Sequence, residues 1–428
     1  MIEKSNLSHT LWLRALLALS ILFGAWLSGC QKADNEPIKI GILHSLTGTM
    51  AISEKPVVDA TLLAIEEINA RGGLLGRQLV PVIADGKSDD ATFAAEAKRL
   101  ITDEKVAVVF GCWTSSSRKT VKPIFEKNNS LLFYPVQYEG FEQSPNIIYT
   151  GSTPNQQIIP AISWVGEHLG KRLYLIGSDY VYPHIANRII TMQASMLGLE
   201  IVGESYLPLG SGKVDNIIAD IKASQADVII NTINGDTNIS FFHALAKAGM
   251  SAAKMPVMSF SLGESELAAM PDNRDMVGHY AAWSYFQAIK SPQNRRFIQA
   301  FKNRFGQHTS ISDPMEAAYF GVHLWAQTVH ANASTNIDTV LKALEIQTID
   351  APEGIVAIDP DSHHTWRPMR IGQINAQQGF DIVWSSEHAI HPEPYPFHIL
   401  PSDARIMLKK LYDRWGHAWT APVSQHMP

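Results

Sequence analysis

From Ile38 onward, short apolar runs rich in β-branched residues alternate with stretches that carry apolar residues at helical spacing. No other feature restricts the fold of this chain so strongly. IKIGILH (38–44) precedes a stretch in which Val58, Leu62, Ile65 and Ile68 recur on one helical face until Gly72-Gly73 end it. LVPVIAD (79–85) precedes a helical stretch over 91–102, VAVVFG (106–111) precedes one over 116–127, and LLFYP (131–135) follows. A second series begins near Gln156: helix 156–169, strand 173–177, helix 184–197, strand 201–207, helix 214–223, strand 227–232, helix 238–248 and strand 256–260. Alternation of this kind implies βαβ units around parallel sheets. Two consecutive series imply an α/β chain of two Rossmann-like lobes. Beyond residue 280 the pattern thins to a strand over 280–286, helices over 293–305, 314–330 and 338–345, and β-like segments at 354–358, 369–374 and 380–384. These are too few for a third domain and are expected to return to the two lobes. The amphipathic stretch 402–415 suggests no role.

The first 29 residues stand apart. Lys4 and Arg14 precede an apolar run from Ala15 to Leu27, closed by Ser28-Gly29. That run is shorter than the roughly 20 residues a membrane helix needs, and the small-residue ending fits a cleaved secretory signal. Leu27-Ser28-Gly29-Cys30 resembles a bacterial lipobox, so Cys30 is the expected lipidation site and residues 30–37 a polar tether. Several acyl chains would hold the protein at a membrane, where a single chain binds only marginally. Of the two cysteines, Cys112 is then left as a free thiol.

Composition narrows the function by exclusion. A net charge of −6 lacks the basic footprint of a nucleic-acid binder. Two cysteines support neither a disulfide scaffold nor a multi-cysteine zinc site. G-x-S-x-G, H-E-x-x-H and a strand-following G-x-G-x-x-G are missing, and Gly210 to Val214 lacks the residues of a phosphate loop. His388, His391 and His398 gather only in a proline-rich stretch, where solvated loop histidines are the simpler reading. No enzyme activity, cofactor or metal is expected.

Open α/β sheets bind ligands beyond the carboxyl ends of their strands. Here those turns are Gly111 to Arg118, Pro135 to Gly140, Ser178 to Pro183, Asn234 to Asn238 and Ser261 to Glu264. They mix aromatic, hydroxyl, amide and acidic groups, as a site for a small polar ligand requires. Each part also has a plainer explanation. Ser115 to Ser117 and Asp236 can cap helices, and Tyr134, Tyr138, Tyr180 and Tyr182 can be packing residues. Gln137 is harder to set aside, because an amide among apolar residues usually has a specific partner.

GCWTSSSRK, LLFYPVQYEGFE, NIIYTGSTPNQQIIPA, LIGSDYVYP, NTINGDTN, SDPMEAAYFGV and DAPEGIVAID together resemble the urea-binding subunit of ABC-type urea transporters. The likeness runs from about Ile38 to Pro396, and the wider group takes in amide sensors and branched-chain amino-acid binding proteins. The resemblance implies a type I periplasmic binding protein: two α/β lobes joined by three crossovers. Lobe 1 is then expected over 38–152 and 283–352, lobe 2 over 153–282 and 353–400, with 401–428 as a tail. It further implies that Ser115, Tyr134 and Tyr180 hold the ligand, and Pro135-Val136-Gln137-Tyr138 stands where the amide sensor has P-T-P-Y; Trp113 is expected to stack on a planar ligand. Urea offers one carbonyl acceptor and four N–H donors, so Gln137 and a lobe-2 carboxylate, Asp236 or Glu264, are expected as acceptors. Thr237 and Gly263-Glu264-Ser265 depart from the family pattern and weaken the lobe-2 expectations. The expected partners are urea or a small amide, ABC permease subunits, and the membrane through its lipid anchor, in the periplasm. The competing readings are a receptor for short amides or branched-chain amino acids, an intracellular amide-sensing regulator, and, last, a hydrolase.

Overall fold

A computed structural model of the protein describes residues 36–270 and 274–422. The chain opens with β1 (Ile38–His44), α1 (Ala51–Ala70), β2 (Leu79–Asp85), α2 (Asp90–Thr102), β3 (Val108–Gly111), α3 (Ser115–Lys127), β4 (Leu132–Tyr134) and β5 (Ile147–Tyr149). These strands form one parallel sheet in the order β2-β1-β3-β4-β5. Ile38, Ile40, Ile42 and Leu43 are all buried, because a parallel strand covered on both faces needs a nearly continuous apolar run. The helices start where local chemistry supplies a cap. Asp89, for example, accepts the Thr92 amide at 2.7 Å to open α2.

The second series follows as α4 (Ile158–His168), β6 (Arg172–Ser178), α5 (Val181–Leu197), β7 (Glu200–Leu207), α6 (Asp215–Ser224), β8 (Val228–Thr232), α7 (Thr237–Lys247), β9 (Val257–Ser259), α8 (Glu264–Ala269) and β10 (Tyr280–Trp283). The chain then runs through α9 (Pro292–Phe305), α10 (Asp313–Asn332), α11 (Ile337–Leu344), β11 (Thr348–Ala351), β12 (Gly354–Ile358) and β13 (Thr365–Trp366). It closes with β14 (Arg370–Ile374), β15 (Phe380–Ser385) and α12 (Pro401–Arg414). The second sheet has the order β15-β14-β10-β9-β8-β6-β7, in which β14 alone runs antiparallel to its neighbours. The late segments do return to both lobes. Phe297, Phe301, Ile311 and Met315 join the core that holds Leu43, Phe93 and Phe125, whereas Met369 and Ile371 join the core under α5.

The strand expected over 280–286 stops at Trp283, since Ser284 and Tyr285 turn to give their amides to Asp313. Segment 353–366 was expected in lobe 2. Instead β12 pairs antiparallel with β11, Ala351 opposite Gly354, and Ala351 and Val356 pack on Ala317 and Phe320 of α10. A hairpin joined by so tight a turn cannot be divided between lobes, so the second sheet regains the chain only at Arg370.

The three crossings meet at one buried cation. The Arg367 guanidinium contacts Glu353 at 2.6 Å, Asp313 at 3.1 Å and Glu316 at 3.2 Å. It also donates to the Thr150 carbonyl at 2.9 Å. Thr150 lies on the first crossing, Ser284 and Tyr285 on the second, and Arg367 itself on the third. Burial raises the Asp313 and Glu316 carboxyls against the pull of Arg367, as three carboxylates around one cation require.

The stretch expected over 402–415 is helical, and the structure gives it a packing role. Ala404, Leu408, Leu411 and Trp415 join the lobe-2 core with Ile185 and Ile189. Past it, the Val181 amide donates to the Trp419 carbonyl at 2.9 Å and the Ala421 amide to the Asp179 carbonyl at 3.0 Å. The proposed signal peptide and Cys30 lie outside the described residues. Among the described residues no helix is long and apolar enough to cross a membrane.

Candidate functional site

The carboxyl ends of the two sheets face each other, and the turns there carry most of the residues singled out above. β3 runs into Cys112, which adopts φ 66 before α3 begins. Thr114 caps α3 by accepting the Ser117 amide at 3.0 Å, so the cap is Thr114, and Ser115 is released for other contacts. The buried Ser115 hydroxyl donates to Glu139. Tyr134, at the end of β4, donates its hydroxyl to the Trp113 carbonyl at 2.6 Å.

Gln137 and Trp113 reach from lobe 1 to lobe 2. Gln137 Nε2 donates to the Phe260 carbonyl at 2.7 Å, and Trp113 Nε1 donates to Asn234 Oδ1 at 3.3 Å. The other end of the Gln137 amide, Oε1, is buried with no hydrogen-bond partner among the described residues. Beside it lies the buried Tyr182 hydroxyl of lobe 2, which also lacks a hydrogen bond of good geometry. Tyr180 is buried too, and burial, with Tyr182, Tyr134 and Glu139 nearby, holds its phenol far above the usual range. Ser115, Tyr134, Gln137 and Tyr180 are therefore brought together.

Tyr138 is not part of that group in the same way. Its hydroxyl is engaged with the Glu142 carbonyl at 2.7 Å and His364 Nε2 at 2.6 Å, and its ring stacks on Tyr149 and His364. Asp236 is exposed at the rim, where it accepts the Thr49 hydroxyl while its amide reaches the Thr49 carbonyl at 3.3 Å. The preceding Gly235 adopts φ 68, and a Cβ there would stand 2.8 Å from the same carbonyl, so only glycine lets this rim close. Glu264 is buried but accepts the Gln287 amide at 2.7 Å. Its nearest charges are Glu266 and Asp313, and burial pushes its carboxyl up to about 8. Neither acid meets Gln137.

The carboxylate beside Ser115 is Glu139, from lobe 1, which the sequence reading passed over. It lies two residues beyond Gln137 in the same PVQYEG turn, and the only available signal was that proximity. Glu139 belongs to a buried quartet. Arg118 lies 3.3 Å from Glu139 and 2.8 Å from Glu142, and Lys119 lies 3.1 Å and 2.9 Å from the same two acids. Burial alone would raise the Glu142 carboxyl, but Arg118 and Lys119 together hold it well below the carboxylate range. Two cations and two carboxylates leave the quartet without net charge. The Arg118 guanidinium also sits over the Tyr134 and Tyr138 rings at 4.7 and 4.5 Å.

Nucleophilic chemistry finds no purchase here. Cys112 is buried and burial pushes its thiol far up, which keeps it protonated and unreactive. Among the described residues no group of three His, Cys, Asp or Glu side chains is placed to hold a metal ion. The arrangement is suited to binding.

Comparison with known proteins agrees with this geometry. A family model described as "Periplasmic binding protein domain" matches residues 38–400. The Leu/Ile/Val-binding protein homolog 6 of Brucella melitensis is 24% identical over 363 residues, which cover 82% of this chain and 90% of that protein. An ABC-transporter solute-binding protein from R. palustris, solved with 4-hydroxybenzoate, superposes with a TM-score of 0.76 at 21% identity, covering 83% of this chain and 98% of that one. A branched-chain amino-acid binding protein from Streptococcus pneumoniae, solved with isoleucine, gives a TM-score of 0.72 at 20% identity, covering 83% and 100%. A 117-residue stretch is 41% identical to limonene hydroxylase of Geobacillus stearothermophilus, but it spans only 27% of this chain and 21% of that protein.

Proposed function

The chain belongs to the periplasmic binding protein family, and from that premise we propose that it is the solute receptor of an ABC transporter and captures urea between its lobes. The observation that carries this reading is the charge balance of the buried quartet. Arg118 and Lys119 are both spent on Glu139 and Glu142, so neither is left for a ligand carboxylate, and a neutral solute is favoured over a charged one. Gln137 Oε1, beside the Tyr182 hydroxyl, supplies a buried acceptor without a hydrogen bond of good geometry among the described residues, and a molecule rich in N–H donors would satisfy it. The hydroxyls of Ser115, Tyr180 and Tyr182 complete a ring of short-range polar groups, with Trp113 as an aromatic wall.

Branched-chain amino acids are the second reading, because full-length relatives carry Leu/Ile/Val-binding names. Titration calorimetry of the purified protein with urea, acetamide, formamide and leucine separates the two. Urea is expected to bind most tightly. Heat from leucine with none from urea would sink the urea assignment. Delivery to permease subunits and anchoring through Cys30 belong to the same proposal.

A further inference from the structure

Beyond the matched family region, which ends at residue 400, lobe 2 reaches across the cleft to lobe 1 once more. We propose that residues 415–421 form a strap that holds the two lobes closed, with Trp419 and Thr420 as its positioning residues. The strap is built into lobe 2. Trp415 and Ala421 are buried in that lobe's core, and Trp419 packs on Tyr412 at 4.6 Å between ring centres. The backbone around Thr420 pairs with Tyr180 as an added antiparallel bridge, fixed by the bonds from Val181 to Trp419 and from Ala421 to Asp179. Its outer side chains reach lobe 1. The Thr420 hydroxyl lies 2.9 Å from the Ser116 hydroxyl, which also donates to Asp90. The Lys119 ammonium sits 5.3 Å from the Trp419 ring, within cation–π range.

These contacts fall beside the ligand group on both lobes. Ser116 and Lys119 belong to the helix that presents Ser115 and Arg118, and Thr420 is bridged to Tyr180. One segment therefore ties a ligand-facing residue of lobe 2 to the helix that carries the ligand-facing residues of lobe 1. Contacts present only when the lobes meet shift the equilibrium toward the closed form, and the strap adds such contacts without touching the solute.

The test reads closure with and without ligand in the full chain. In hydrogen-exchange mass spectrometry without ligand, Thr420→Val and Trp419→Ala are expected to speed exchange at least threefold in 44–50 and 234–237. Those segments meet at the Thr49–Asp236 rim and do not touch the strap, so they report lobe separation. Ser116→Ala should do the same from the other lobe, and Thr420→Ser should restore wild-type exchange. With urea as probe, Thr420→Val should speed release at least threefold and leave association unchanged. Faster exchange confined to 179–184 and 401–421, with the rim unchanged in all three disruptive variants, would overturn the strap. If urea gives no signal with the wild type, the ligand assignment fails, while the exchange measurement still decides the strap.

Discussion

At the scale of single residues, Gln137 and Glu264 show how the same chemistry is used in two ways. Gln137 is an amide held across the cleft by one end, with its carbonyl oxygen buried and without a hydrogen bond among the described residues. Gln137→Leu removes both, and an unpaired N–H donor in the bound solute costs about 1–3 kcal/mol. Urea affinity measured by calorimetry is expected to fall roughly 5- to 150-fold, and unchanged binding would remove Gln137 from the site. Glu264 was expected to serve the ligand, but it lies under Gln287 with its carboxyl raised by burial from its ordinary 4.5 to about 8. A raised carboxyl keeps its proton in the folded state, so its contribution to stability is lost as pH rises from about 4.5 through about 8. Glu264→Gln can still accept the Gln287 amide and carries no charge. Its guanidinium unfolding free energy relative to wild type should therefore grow with pH across that window, by an amount on the order of 4 kcal/mol. A constant difference from pH 5 to pH 8 would show that the acid is ionised in the folded state. Both residues stand at strand ends in the sequence, and only their burial and neighbours tell them apart.

At the scale of elements, the strand–helix alternation was legible almost throughout, because a parallel strand and its crossover helix each impose their own period on apolar residues. The pattern placed no strand over Ile147–Tyr149 and no helix over Glu264–Ala269, and it failed in two further places where tertiary contacts override it. Trp283 ends β10 early because Asp313, from α10, takes the next two amides. Segment 353–366 stays with β11 because the hairpin pairs before it can cross. Arg367 then binds the crossings together. Removing it would leave three buried carboxylates around an empty place, and breaking a buried ion cluster typically costs about 3–5 kcal/mol. Arg367→Met is expected to lose stability of that size in guanidinium denaturation. Arg367→Lys should rescue little, since an ammonium lacks the planar fork that reaches Thr150 and three acids at once. Full stability of the methionine variant would mean that the crossings are held by backbone pairing alone.

At the scale of the whole molecule, the protein is two lobes whose polar edges complete one another, and the first 29 residues are proposed as a cleaved secretory signal. The proposed lipidation of Cys30 makes a separate prediction: Cys30→Ser should move the protein from the membrane fraction to the soluble fraction, as detected by immunoblot, without changing urea affinity. Retention at the membrane would refute lipidation at that cysteine. The sequence alone carried the fold class and the strand ends at which Ser115, Tyr134, Gln137 and Tyr180 stand. It could do so because periodicity and strand-end position are local properties of the chain. Tertiary packing alone put Glu139, and not Asp236 or Glu264, beside Ser115, turned the Tyr138 hydroxyl to His364, and brought Thr420 against Ser116. Those outcomes depend on which groups, distant in sequence, share a buried space and neutralise one another. Charge compensation and burial are properties of that shared space, and no local pattern of residues encodes them.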